Sequence, residues 1–157
     1  MKEATLCFLI TEGKILLGMK KRGFGKDKYN GFGGKIEDDE RVEDAVIREL
    51  YEETGVKATK EYLEKVGELT FIFPYKEDWN QSVHVFVIKN WEGDPAESDE
   101  MAPAWFEHES IPFEKMWQDD KHWLPLVLQG KKFEATFTFE EDNESIASFN
   151  INKKHNF

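Results

Sequence analysis

Apolar side chains along this chain mostly occur in short runs, alternating or continuous, that are typical of β-strands. Two such runs at the amino-terminal end are separated by a brief polar turn, and two more follow one another at the carboxyl-terminal end. The pattern predicts seven strands, at residues 5–10, 14–19, 66–73, 83–88, 104–107, 132–139 and 145–151.

One segment between these strands has a helical rhythm. From Val42 to Thr54, the apolar residues Val46, Ile47 and Leu50 form an arc on one face, which predicts a helix. Gly55 follows directly and is well placed as the glycine that ends the helix in the left-handed conformation.

A second helix is predicted near the carboxyl-terminal end. Asp119 or Asp120 can cap its amino terminus, and it should run to about Gln129, with a kink or an early end at Pro125. Strands, an inserted helix, more strands and a late helix predict an α/β (α+β) fold with a mixed sheet flanked by helices. At 157 residues, we expect one domain, residues 1–157, that buries a proper core.

Composition and charge narrow the class of protein. The net charge of −11 argues against long nucleic acid as a partner. The lone Cys7 excludes an internal disulfide, and no apolar run is long enough for a membrane span. We therefore expect a cytoplasmic protein, monomeric, with no membrane partner.

The acidic balance is reversed in one stretch, residues 18–35, which has six basic residues, one acid (Asp27) and several glycines. Such a loop suits a bound polyphosphate, because glycines allow close backbone approach and lysines supply positive charge. A solvated loop on an acidic protein is the alternative interpretation. The basic residues are Lys20, Lys21, Arg22, Lys26, Lys28 and Lys35.

The most informative feature follows directly. Within the predicted helix, Glu49, Glu52 and Glu53 stand at i, i+3 and i+4, so one face carries three carboxylates. Such like charges repel unless a cation lies between them, and Mg²⁺ suits carboxylates that also hold a phosphate substrate. A glutamate-rich solvated helix would be the usual explanation for three acids alone. That explanation is weak, because the three glutamates belong to a longer pattern of residues at fixed spacing. The residues of the pattern are Gly34, Glu40, Arg48, Glu49, Leu50, Glu52, Glu53, Gly55 and Val56.

This pattern resembles the Nudix box, the signature of hydrolases that cleave nucleoside diphosphates linked to another group. The resemblance implies a Nudix-type α/β/α sandwich and a Mg²⁺-dependent enzyme, with Mn²⁺ as a possible substitute. It also implies metal ligands at Glu49, Glu52, Glu53, Glu100 and the carbonyl of Gly33. Glu53 is the first choice as catalytic base, with Glu52 or Glu100 as alternatives. Arg48 is expected to orient a carboxylate such as Glu49 through a bidentate salt bridge.

Further segments resemble one branch of that family, the MutT-related oxidised purine nucleoside triphosphatases. They include GMKKRGFG (18–25), NGFGGK (30–35), ESDEM (97–101) and KKF (131–133). The branch hydrolyses 8-oxo-dGTP and 2-oxo-dATP to monophosphates, so the resemblance implies a small-molecule nucleotide substrate and a role in sanitising the nucleotide pool. The substrate-binding residues that we expect are Thr5, Lys20, Asn30, Phe32, Gly33, Gly34, Lys35, Phe71, Phe73, Trp117, Gln118, Asp119 and Asp120.

Several of these residues have an independent physical rationale. Trp117 can stack on a purine, although core packing is the more common role for a Trp. Asp119 and Asp120 beside it can share a proton in a dry pocket, and then both donate to and accept from a base edge. Asn30 carries a donor and an acceptor in one plane, yet Asn-Gly is also an ordinary turn pair.

At two positions this sequence differs from the pattern of the related branch, and both differences affect the expected base preference. Gln118 stands where the mammalian sequence has proline, and Gln81 where methionine is expected. The alternatives are a Nudix hydrolase of another substrate (ADP-ribose, a dinucleoside polyphosphate or an RNA 5′ triphosphate end), a nucleotide-binding module without turnover, and a partner-binding scaffold.

Overall fold

A computed structural model describes all residues, 1–157. Its main elements are eight strands and two α-helices, joined by loops that contain four single turns of 3₁₀-helix. The strands are β1 (Lys2–Thr11), β2 (Lys14–Lys20), β3 (Tyr29–Asn30), β4 (Leu63–Ile72), β5 (Gln81–Ile88), β6 (Met101–Glu107), β7 (Lys132–Phe139) and β8 (Ile146–Lys154). The helices are α1 (Val42–Thr54) and α2 (Asp120–Leu128).

The strands form one mixed sheet in the order β3-β2-β1-β5-β4-β7-β8, and β6 pairs with β2. The pairs β1–β5 and β4–β7 are parallel, and the other pairs are antiparallel. The predicted mixed sheet flanked by helices is confirmed.

Two separate apolar cores lie on the two faces of the sheet, because successive side chains of a strand point to opposite faces. In β1, Phe8 packs in the core that contains Trp123 of α2. Its neighbours Cys7 and Leu9 pack in the other core, with Leu50 of α1. The result is a helix–sheet–helix sandwich. Neither helix has the length and apolar character that crossing a bilayer requires.

The predicted elements are found, with shifted boundaries. β4, β5 and β6 begin earlier than the apolar runs indicated, and β8 continues to Lys154. A bulge between Lys65 and Gly67 interrupts the alternation that would have marked the start of β4. The two-residue strand β3 was not predicted, since so short a pairing with β2 leaves no periodic signal.

The start of α2 differs from the prediction in one respect. Asp119 stands at the N-cap position, but its side chain makes no capping hydrogen bond. The helix includes Pro125 and ends at Leu128. Gly55 ends α1 in the left-handed conformation (φ 78°), as predicted.

The split pairing of β1 creates the floor of the candidate site. β2 pairs with the carboxyl-terminal part of β1, at Leu9–Thr11. Toward its amino terminus, β1 pairs instead with residues 32–35, through bridges from Cys7 to Phe32 and from Ala4 to Lys35. The glycine-rich loop is therefore fixed along β1 as an irregular extra strand.

Candidate active site

Two glycines allow this loop to approach both β1 and α1. A Cβ atom on Gly33 would lie 1.9 Å from the carbonyl oxygen of Thr5, and one on Gly34 would lie 2.8 Å from the Glu49 carboxyl carbon. Neither position has room for a side chain. The NGFGGK segment thus brings backbone groups against the carboxylates of α1.

Glu53 is the most deeply buried carboxylate of α1. Its side chain is almost fully buried, with 4% of the residue exposed. Its Oε1 accepts a hydrogen bond of 2.9 Å from the backbone N–H of Gly33. Glu49 is mostly buried, whereas 57% of the Glu52 side chain is exposed. The three carboxylates on one helix face therefore lie at very different depths.

Arg48 ties α1 to the loop that precedes it, and its geometry corrects one expectation. The guanidinium forms its bidentate pair with Glu40, at 2.8 and 2.9 Å, and only a single 2.8 Å bond with Glu49. The Arg48 fork also donates to the carbonyl of Lys35, at 3.2 Å. Because adjacent residues of a helix do not face each other, Glu49 cannot accept two parallel hydrogen bonds from Arg48. The carboxylate of Glu40, in the loop before the helix, accepts them instead. Arg48 thus holds Glu49 from one side while it fixes the loop.

The local electrostatics favour protonation of the buried glutamates. Burial, and then the negative charge of Glu49, raise the pKa of Glu53 to about 8, although the Gly33 N–H and Lys20 oppose this shift. Burial also raises the pKa of Glu49, against the effect of Arg48. The charge of Glu100 raises the pKa of both groups, so it acts on the same centre from the segment before β6.

This donor set fits a hard divalent cation. Mutual repulsion among Glu49, Glu53 and Glu100 would be relieved by a cation, and carboxylate oxygens are the ligands that Mg²⁺ prefers. The side chains do not yet form a closed cage: no three acidic, His or Cys side chains stand together in ion-binding geometry. One Glu49 oxygen is bound to Arg48, and Glu52 points into solvent beside the same guanidinium. A bound cation would have to draw these groups together.

A cavity of about 580 Å³ extends from Glu53 along β1, β4 and β5. Its walls include both apolar and polar side chains, so it can receive a planar base together with charged phosphates. It brings together most of the predicted substrate-binding residues, namely Thr5, Lys20, Asn30, Gly33, Gly34, Phe71, Phe73, Trp117, Asp119 and Asp120.

Asp119 and Asp120 are buried side by side at one end of the cavity, at 5% and 2% exposure. Asp119 accepts a 2.8 Å hydrogen bond from Nε1 of Trp123, and Asp120 accepts one of 3.0 Å from the backbone N–H of Trp117. Burial raises the pKa of both carboxyls, and the charge of Asp119 raises that of Asp120 further. The pair can therefore hold a proton, and Asp119, at the N-cap position of α2, makes no capping hydrogen bond.

Aromatic rings form a continuous wall near this pair. Phe24 stacks on Trp117, with ring centres 5.0 Å apart, and meets Trp79 edge-on at 5.2 Å. Trp79 in turn contacts Phe73, which stacks on Phe139 at 4.6 Å. The sequence pattern did not single out Phe24, Trp79 or Phe139. Phe24 could have been found, because it lies inside the GMKKRGFG segment that resembles the family. Trp79 and Phe139 lie in no segment that pointed to the site.

Some predicted site residues lie elsewhere. Phe32 does not line the cavity; it is fully buried in the core beside α1. Lys35 and Gln118 are exposed and also lie outside the cavity lining. Glu100 is exposed at its rim, where its carbonyl accepts the N–H of Lys21 at 2.8 Å.

The cavity has an acidic end at Glu53 and an aromatic end large enough for a planar base, an arrangement that is suited to a nucleotide. Residues 1–127 match the NUDIX domain, and the chain belongs to the Nudix family. The sequence resemblance to that family is thus confirmed.

Individual relatives cover nearly the whole chain. The Oxidized purine nucleoside triphosphate hydrolase of Danio rerio is 50% identical over 139 residues, covering 88% of this chain and 87% of the relative. The Mus musculus protein of the same name is 42% identical over 153 residues, covering 98% and 96%. The fold is similar to that of a Mutator MutT protein from Bacillus halodurans, with a TM-score of 0.83 and 24% identity, covering 97% of this chain and 98% of that one.

Proposed function

We propose that this protein hydrolyses oxidised purine nucleoside triphosphates, such as 8-oxo-dGTP and 2-oxo-dATP, to the nucleoside monophosphate and pyrophosphate. The observation that carries the proposal is one cavity that joins the buried Glu53 to the Asp119–Asp120 pair. The names of the zebrafish and mouse relatives, which match this chain over most of its length, support the same substrate class.

The phosphate end combines groups from α1, from β2 and from two loops. Glu49, Glu52 and Glu53 of α1, with Glu100 and the carbonyl of Gly33, are the residues that would hold the cation, Mg²⁺ or Mn²⁺. When bound, such an ion supplies positive charge against the phosphates and lowers the pKa of water. Lys20, which lines the cavity and attracts Glu53, adds a fixed positive charge.

Glu53 is the proposed general base. Of the three candidate bases, it alone lines the cavity, whereas Glu52 and Glu100 are exposed. The Gly33 N–H fixes one of its oxygens, so the other is free to take the proton of an attacking water. Water then adds its oxygen to the β-phosphorus, and the bond from that phosphorus to the oxygen shared with the α-phosphate breaks. The nucleoside monophosphate leaves, and the attacking oxygen ends in pyrophosphate.

The base end distinguishes purines by hydrogen bonding. Asn30 can offer a donor and an acceptor, and the Asp119–Asp120 pair can offer a carboxylate and a carboxylic acid. Trp117 supplies a ring surface for stacking. A base whose edge pattern mismatches these groups leaves buried polar atoms unpaired, which lowers its affinity.

A substrate panel in the presence of Mg²⁺ tests the proposal, provided that products are identified as well as rates. We expect 8-oxo-dGTP or 2-oxo-dATP to exceed dGTP by about tenfold or more in kcat/KM, with monophosphate and pyrophosphate as products. Values for both oxidised nucleotides that do not exceed the value for dGTP would contradict the proposed substrate. Faster cleavage of ADP-ribose, a dinucleoside polyphosphate or an RNA 5′ triphosphate would assign another Nudix activity, and no turnover at all would indicate a binding module.

A further inference from the structure

The turn between β7 and β8 forms part of the nucleotide cavity, although it is distant in sequence from the motifs described above. Asn143, at the tip of this turn, lines the cavity together with Trp117 and the two aspartates. Its Oδ1 atom is buried and has no hydrogen-bond partner.

Unpartnered buried atoms of this kind are rare in the protein. Only three side-chain polar atoms are buried without a partner, and two of them, Oγ1 of Thr5 and Oδ1 of Asn143, belong to residues that line this cavity. A buried acceptor without a partner is costly, and it becomes favourable when a ligand supplies the donor. The position of the orphan atoms therefore points to a ligand in the cavity.

The turn holds Asn143 in place before any ligand arrives. The carboxylate of Asp142 accepts hydrogen bonds from the backbone N–H groups of Glu144 and Ser145, at 2.9 and 2.8 Å, and from the Ser145 hydroxyl at 2.6 Å. Asn143 has a φ of 58°, a conformation that Asn tolerates better than most residues. Its own N–H donates to the carbonyl of Glu140 at 2.9 Å.

A second contact ties the turn to the base end of the cavity. Glu144 pairs with Lys28 at 3.6 Å, and the Lys28 ammonium lies 4.9 Å from the centre of the Trp117 ring. The charge of Lys28 also reaches Asp120. The β7–β8 turn thus faces the groups expected to read the base rather than those expected to hold the phosphates.

We propose that Asn143 reads the base: its side-chain carbonyl accepts a hydrogen bond from an N–H group of the bound purine. The inference rests on the proposed function of the cavity and adds to it a specificity-determining residue. Oxidation changes which ring nitrogens of a purine carry hydrogen, so a fixed acceptor distinguishes an oxidised base from a normal one.

The test compares two substitutions that the positive φ permits. Asn143→Gly removes the amide, and Asn143→Asp keeps an acceptor. Glu12→Gly is the matched control, because Glu12 is exposed at a positive φ of 46° in the β1–β2 turn, outside the cavity lining. For each protein, kcat and KM are measured for 8-oxo-dGTP, 2-oxo-dATP and dGTP, and the unfolding temperature is recorded.

We expect Asn143→Gly to raise KM for at least one oxidised purine by about three- to tenfold more than for dGTP, with kcat within about twofold of the wild type. Asn143→Asp should lie closer to the wild type than Asn143→Gly does, and Glu12→Gly should match the wild type. An unchanged KM, or a rise shared equally by all three nucleotides, would overturn the base-reading role. An Asp variant as impaired as the Gly variant would contradict the acceptor assignment.

Calorimetric titration of 8-oxo-dGMP, 2-oxo-dAMP and dGMP into metal-free protein separates this inference from the proposed function. If the wild type turns over no oxidised purine, the proposed function fails, while a selective loss of monophosphate affinity in Asn143→Gly would still support Asn143. If turnover is as proposed but the variant keeps the wild-type selectivity, only the inference about Asn143 fails. If the wild type binds none of the three monophosphates, the inference about Asn143 is also overturned.

Discussion

At the scale of single residues, Glu53 combines two properties that rarely occur together. It is almost fully buried, yet it has only one hydrogen-bond donor, the Gly33 N–H, and no direct ion pair. Its carboxylate form is therefore poorly stabilised, and a cation bound beside it would stabilise that form. This makes Glu53 the residue whose substitution should separate activity from stability most clearly.

The first prediction concerns activity. Glu53→Gln should lower kcat by about 10³ or more, because the amide cannot accept a proton and is a poor cation ligand. The fold should be retained, since the amide carbonyl can still accept the Gly33 N–H. Steady-state kinetics with circular dichroism would check both parts. Near wild-type turnover in the folded variant would exclude Glu53 as the base.

The second prediction concerns the pH dependence of stability in EDTA. Because the pKa of Glu53 is raised from 4.5 to about 8, the folded state keeps a proton that the unfolded state loses across this range. The contribution of Glu53 to stability is fully present below about pH 4.5, falls by up to about 1.4 kcal/mol per pH unit, and is lost above about pH 8. Denaturant unfolding should show Glu53→Gln equal to the wild type at pH 4 and more stable at pH 8.5. A constant difference across this range would contradict the assignment.

The third prediction concerns the base end. Asp119→Asn should impair oxidised purines unequally, because an amide cannot change its protonation state as a carboxyl can. Trp117→Ala should weaken all purines together, since stacking reads no edge pattern. The ratio of kcat/KM between 8-oxo-dGTP and 2-oxo-dATP measures the difference. If this ratio of kcat/KM values changes only in the Trp117 variant, then Trp117 rather than Asp119 distinguishes the two bases.

At the scale of elements, α1 and the loop before it are held as one unit by Arg48. The fourth prediction is that Arg48 and Glu40 are coupled by about 1–3 kcal/mol in a double-mutant cycle of Arg48→Gln and Glu40→Gln. Both side chains are largely shielded from solvent, at 25% and 14% exposure, and the pair is bidentate. Denaturant unfolding measures the coupling. Additive effects would show that the two residues stabilise the protein independently.

The elements also show how far the sequence reaches. Helix α1 was predicted from end to end, because its apolar arc, its carboxylates and Gly55 are all local signals. Glu53 was singled out by the same local pattern and Asp119 by the family resemblance, and both line the cavity. The bidentate partner of Arg48 was assigned wrongly, and Trp79 and Asn143 were missed. These features depend on contacts between loops that are distant in sequence. A local sequence pattern does not predict which loops will be in contact in the folded chain.

At the scale of the whole molecule, a divalent cation should stabilise the protein. The fifth prediction is that Mg²⁺ at about 100 times its Kd raises the free energy of unfolding by roughly 2.7 kcal/mol, since only the folded chain places the carboxylates where a cation can draw them together. Thermal unfolding with and without Mg²⁺ at matched ionic strength measures this gain. Glu53→Gln should reduce it, and an unchanged gain would place the stabilising cation elsewhere.

The β7–β8 hairpin links the nucleotide cavity to the edge of the sheet. Asn143 at its tip lines the cavity, while β8 has a neighbour on one side only. Local opening of this hairpin removes Asn143 and Phe139 from the cavity lining, so a bound nucleotide must be released or left partly exposed when the hairpin frays. Nucleotide binding should therefore slow the exchange of amide hydrogens with solvent throughout β8, from Ile146 near Asn143 to the far end of the strand at Lys154. Occupancy of the cavity would then protect an open strand edge from pairing with other chains.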